Sequence, residues 1–166
     1  MFYRFIQSVD KHLLFPEAKA HCDVPCGIYD PAPAQIDALT VVRMMDLMTT
    51  LEQGEEKGRL EYHNTLSRYI SVKEEHAEKA KHEIRVIWGD YIKDAHIEKH
   101  PELPGLVHKI MQLGSTSRQT SSREHGIAFL DAINQFAEIF WATKNIKTKK
   151  AKAPYAPGLE MIYPDL

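Results

Sequence analysis

One stretch limits the fold more than any other. Between about residues 59 and 93, Leu66, Ile70, Ala77, Ala80, Ile84, Ile87 and Tyr91 fall on steps of three, four or seven. Such spacing stacks side chains on one face of an α-helix, whereas a strand would send successive residues to opposite faces. A helix over that range is about 50 Å long at 1.5 Å per residue. Lys73 is the one polar residue in its seam.

The rest of the chain offers partners for it. Residues 34–53 contain good helix formers and no Gly or Pro, and Val41, Met44, Met45, Met48 and Leu51 repeat the same rhythm. Gly54 and Gly58, around a Glu-Glu-Lys run, mark the first turn. Residues 94–100 read as a connection. Pro101 suits the first turn of a third helix, where a missing N–H costs no bond, and Leu103, Leu106, Val107, Ile110 and Leu113 line its inner face. Gly114 and the hydroxyl-rich run after it predict a loop to residue 122. A last helix over 122–144 buries Ile127, Leu130, Ile133, Phe136, Ala137 and Phe140. No segment has a strand pattern and there is no internal repeat. The expectation is an all-α fold, an antiparallel four-helix bundle over 34–144.

Residues 145–166 differ. Lys147, Lys149, Lys150 and Lys152 are followed by Pro154, Pro157, Gly158 and Pro164, which rules out a regular helix. Tyr155, Leu159, Met161, Ile162 and Tyr163 are too apolar for a linker. The segment is expected to be an extended tail packed on a neighbouring subunit.

Composition closes off several functions. A chain of 166 residues with 43% hydrophobic and 27% charged residues is an ordinary single domain with a real core. A net charge of −2 and a pI near 6.5 give no general basis for nucleic-acid binding. No apolar run approaches the length of a membrane helix, and a cytoplasmic protein is expected from the weak export signal of residues 1–20. Two cysteines do not make a disulfide scaffold.

Those two cysteines carry the chemistry. Cys22 and Cys26 stand four apart with His21 directly before the first. Two thiolates and an imidazole in six residues suit a soft metal such as Zn, Cu(I) or Ni. Pro25 fixes one φ and Gly27 permits unusual dihedrals, so the loop can curl around one ion. Taken alone, the pair also reads as an incidental pair of thiols. Upstream, Ala18-Lys19-Ala20 is a small-x-small pattern of the type signal peptidases accept. Asp10, Lys11, His12, Glu17 and Lys19 interrupt any apolar region, so residues 1–20 read as a short pro-segment cut between Ala20 and His21, or as a polar arm.

The whole string His21-Cys22-Asp23-x-Pro25-Cys26-Gly27-x-Tyr29-Asp30-Pro31 resembles the hook that opens the mature nickel-containing superoxide dismutases. The resemblance continues through Lys73-Glu74, Ala80-Lys81-His82, Trp88-x-Asp90-Tyr91, Glu98-Lys99-x-Pro101-Glu102-Leu103, Leu106-Val107 and Ile139-Phe140-Trp141-x-Thr143-Lys144. It implies an enzyme that disproportionates superoxide through a Ni(II)/Ni(III) centre at residues 21–33. Its ligands would be the Cys22 and Cys26 thiolates, the Cys22 backbone amide, and the His21 amine and imidazole. Anionic thiolate and amidate donors bring Ni(III) within reach, and a square-planar N,S set suits Ni(II) better than Zn(II). Before cleavage the His21 nitrogen is a planar amide and no amine ligand. A maturation protease resembling a signal peptidase would therefore switch the centre on.

The resemblance also implies that Tyr29 and Asp23 lie near the metal, Tyr91 stands behind Tyr29, Pro25 is cis, and six subunits form a homohexamer. From periodicity alone Tyr91 reads as a core aromatic. Lys81 and Lys93 match family lysines that would attract an anion, and also read as solvated helix faces. One departure concerns the partners of the axial imidazole. The family uses a glutamate and an arginine, where this chain has Asp37 and His76, expected to form a shorter hydrogen-bonded relay to His21. His63, His82, His96, His100, His108 and His125 have no tight metal spacing. Two other functions fit the bare residues: a non-enzymatic thiolate metal carrier or sensor, and a helical interaction module.

Overall fold

A computed structural model describes residues 26–54 and 58–166 of the chain. Its order is α1 (Ala32–Gln53), α2 (Arg59–Val86), a π turn (Ile87–Tyr91), α3 (Asp94–Lys99), α4 (Leu103–Gln119), α5 (Arg123–Thr143), β1 (Thr148–Lys152) and β2 (Glu160–Pro164). The four long helices form a ring in which α1 packs on α2 and α5, and α4 packs on the same two. This is the expected four-helix bundle. Its centre is built from Leu39 and Met45 of α1, Ile84 of α2, Leu103 and Ile110 of α4, and Phe129, Leu130, Ile133, Phe136 and Phe140 of α5.

Helix α1 opens on Asp30, whose carboxylate accepts the Ala32 N–H at 2.8 Å, with Pro33 in the first turn. The apolar stripe then turns Ala34, Ala38, Val41, Val42, Met45 and Met48 inward. Helix α2 is shorter than its pattern suggested. The ladder widens after Val86, so that the Ile92 N–H reaches the Ile87 carbonyl at 3.1 Å. This π turn carries Tyr91. The expected connection at 94–100 contains the short α3 instead, and Pro101 lies in the turn before α4 rather than in it.

The predicted loop from Gly114 is helical, and α4 runs on to Gln119. Gly114 is a packing residue: an added Cβ would stand 2.7 Å from Lys81 Cδ and 3.1 Å from Phe129 Cε2. The extra turn is held by Lys73, the polar residue in the α2 seam. Its buried Nζ donates to the carbonyls of Ser117 (2.9 Å), Arg118 (2.5 Å) and Thr120 (2.7 Å). These are orphan acceptors at a helix C-terminus, where a cation also suits the dipole.

The tail corrects the expectation that no segment forms a strand. It forms an antiparallel hairpin, with Thr148 opposite Pro164 and Lys152 opposite Glu160. It packs on its own bundle, burying Ala153, Met161 and Ile162 against α5 and α1. The turn between the strands holds a cis peptide at Ala156-Pro157.

Candidate metal centre

The described part of the hook is its stem, from Cys26 to Pro31. Cys26 is exposed and its sulfur is free. Gly27 follows with φ of 72°, a left-handed conformation that glycine adopts at no steric cost. Ile28 is 80% exposed, and Tyr29 turns back onto the core. His21, Cys22, Asp23 and Pro25, with the Ala20–His21 junction, lie outside the described residues, so the cis expectation for Pro25 does too. Among the described residues no group of three or more His, Cys, Asp or Glu side chains gathers around a common point. The donor set nevertheless fits nickel: Cys26 offers an accessible thiol, and Cys22 and His21 would add the second sulfur and the nitrogen donors.

The structure brings Tyr29 and Tyr91 together, with ring centroids 5.6 Å apart and planes tilted by 45°. Tyr91 is gripped on all sides. Phe140 packs on it at 5.0 Å, His96 stacks on it at 5.2 Å, and Lys144 Nζ stands 4.7 Å from the ring centroid. Its hydroxyl lies 2.8 Å from Thr143 Oγ1, which itself donates to the Phe140 carbonyl at 2.6 Å. Thr143 has one proton and spends it on that carbonyl, so Tyr91 is the donor in the Tyr91–Thr143 bond. Thr143, Lys144 and His96 had no role assigned from sequence. The available signal was Thr143 three residues after Phe140 on one helix face, but it acquires meaning only once the π turn delivers Tyr91 there.

Asp37 and His76 also meet, with Asp37 Oδ1 2.6 Å from His76 Nδ1. Burial pushes the Asp37 carboxyl above its ordinary value, and the His76 hydrogen bond and charge pull it back part of the way. The pair presents Nδ1 to Asp37 and leaves the other ring nitrogen for a further partner. Lys81 and Lys93 are otherwise engaged. Lys81 Nζ bonds Ser115 Oγ at 3.2 Å and faces Glu78 at 3.5 Å, and Lys93 Nζ bonds the Asp90 carbonyl at 2.9 Å.

Comparison with known proteins places the chain in a family. The family model for nickel-containing superoxide dismutase matches residues 16–144. The Superoxide dismutase [Ni] of Streptomyces coelicolor is 39% identical over 125 residues, 75% of this chain and 88% of that protein. The one from Streptomyces seoulensis is 38% identical over 134 residues, 80% of this chain and 95% of that protein. The native crystal structure of a nickel superoxide dismutase superposes with a TM-score of 0.66 at 39% identity, covering 75% of this chain and 99% of that one. A structure with nickel ligation corresponding to the oxidised state gives 0.66 at 38% over the same shares. The hairpin β1–β2 lies beyond the matched residues. With a shared bundle and a shared family model across most of its length, this chain belongs to the nickel-containing superoxide dismutases, oxidoreductases whose cofactor is nickel.

Proposed function

We propose that this chain converts two superoxide anions and two protons to dioxygen and hydrogen peroxide at a nickel centre held by His21, Cys22 and Cys26. The observation that supports it most is the Tyr29–Tyr91 contact, which seats a hydroxyl-bearing ring three residues after the exposed Cys26 thiol. Nickel bound there would supply the one-electron chemistry of a Ni(II)/Ni(III) couple. The protein's own part is donation and positioning. The two thiolates and the Cys22 amidate would give electron density, and the His21 imidazole would add a nitrogen donor. Tyr29 would border the approach and offer a hydroxyl to water or a small oxyanion, and Asp23 is assigned near the metal. Tyr91, tied to Thr143, fixes the Tyr29 ring from behind. The free nitrogen of His76 and the Asp37 carboxylate hold the His21 imidazole in place of the family's longer pair.

The amine donor exists only after cleavage between Ala20 and His21, so a protease of the signal-peptidase type would activate the chain. A homohexamer working in the cytoplasm completes the reading. Exposed Leu60 and Ile70 on the N-terminal half of α2 support an assembly, and among the described residues no helix is long and apolar enough to cross a membrane. The test compares residues 1–166 with residues 21–166 for nickel content and dismutation rate. The processed chain is expected to hold one nickel per subunit and to be active, the precursor neither. Equal activity refutes the switch.

A further inference from the structure

The hairpin outside the family-matched region has a buried connection to the hook stem. Asn134, in the middle of α5, donates from Nδ2 to the Glu160 carbonyl at the start of β2 (2.9 Å). Its Oδ1 accepts from Gln35 Nε2 at 2.7 Å. Gln35 is fully buried in the first turn of α1, and Asn134 is 5% exposed. The Gln35 backbone N–H bonds the carbonyl of Pro31, the last residue of the stem (3.1 Å). The orientation of both amides is dictated from the hairpin end. A carbonyl only accepts, so Asn134 must turn its NH2 to Glu160 and its oxygen to Gln35. Gln35 must then turn its NH2 to Asn134. Among the described residues its own Oε1 is left buried without a partner, which marks an orientation imposed from outside the side chain rather than chosen by it.

A second connection runs beside the first. Chain continuity carries α5 from Asn134 through Thr143 and Lys144, the partners of Tyr91, into β1. Asn145 makes the turn with φ of 57°, and the Ile146 N–H returns to the Trp141 carbonyl at 3.0 Å. The hairpin is thus linked to both walls of the stem, to α1 through the amide relay and to Tyr29 through Thr143 and Tyr91.

We infer that the C-terminal hairpin is a positioning element for the hook, acting through Asn134 and Gln35 as positioning residues for the metal centre. It orders the first turn of α1, and with it the stem that carries Cys26, before any metal arrives. The inference rests on the hook being the nickel site, as proposed above.

The test uses the processed full-length chain and Asn134→Asp. The aspartate is isosteric and can still accept from Gln35. It sets a carboxylate oxygen against the Glu160 carbonyl and so releases β2. A second variant ends at Lys147 and lacks both strands, and Lys150→Ala on the exposed face of β1 is the control. In the metal-free proteins, amide exchange over residues 32–36 is expected to rise about tenfold in both relay variants, while exchange around Ala80 and Ile110 stays unchanged. In the nickel-loaded proteins the Ni(III) spin-resonance signal broadens and kcat falls about tenfold with KM little changed. Lys150→Ala matches the parent throughout. Unchanged exchange at residues 32–36 with the hairpin released overturns the inference, as does a hairpin that Asn134→Asp fails to release. Should the parent chain bind no nickel, the functional reading falls, and the metal-free exchange data still decide the relay.

Discussion

The two supports of the hook are built on different physics. The tyrosine corner is held by packing. Tyr91 touches Tyr29, Phe140, His96 and Lys144, and its one hydrogen bond runs in a direction fixed by Thr143. The Asp37–His76 corner depends on a single contact between two ionisable groups. A packed corner is costly to remove. An ionisable corner is cheap to remove and changes with proton concentration. In the proposed site a packed wall at Tyr29 stands with a titratable one for the His21 imidazole.

The sharpest way to break the comparison is to remove what both corners serve. Cys26→Ser is expected to abolish nickel binding and dismutation while shifting stability by less than about 0.5 kcal/mol, because the side chain is exposed. Metal analysis, a superoxide assay and thermal unfolding together check this. Next in size is Tyr91→Ala, which empties the packed corner and is expected to cost about 3 kcal/mol by denaturant unfolding, with a parallel loss of activity. Tyr91→Phe keeps the ring and deletes only the hydroxyl, for about 1 kcal/mol. A loss as large as that of the alanine variant would show that the hydrogen bond, not packing, holds the corner.

The smallest effect belongs to Asp37→Asn and appears in the pH dependence. The raised carboxyl holds its proton more tightly in the fold than in the unfolded chain, whose value is 3.8. Its contribution to stability is therefore full below 3.8 and lost as pH rises through the raised folded value. The parent should lose stability relative to Asp37→Asn across that window, and the two curves should run parallel above it. Parallel curves throughout would mean that the pair does not titrate with folding.

The bundle was legible because its evidence is local. Stripes such as Val41-Met45-Met48 state their own period. What escaped depends on distant partners. Gly114 reads as a breaker until Lys81 and Phe129 are seen to need the space of its missing Cβ, and the hydroxyl run after it stays helical because Lys73 arrives from another helix to cap it. The strand Thr148–Lys152 shows no apolar alternation, and only pairing with Glu160–Pro164 defines it. In the site, the string around Cys22 and Cys26 carried the family unaided. The resemblance gave roles to Tyr29 and Tyr91, whereas Thr143 and Lys144 were matched without a role and His96 was not matched, since the π turn that gathers them has no sequence period.

One measurement reaches the central claim most directly. Two chains are prepared, one beginning at His21 and one retaining Ala20 before it, and each is loaded with nickel and assayed for superoxide decay by pulse radiolysis. The account predicts rapid catalytic decay from the first and background decay from the second, because a single peptide bond removes the amine donor. Equal rates from the two would contradict it.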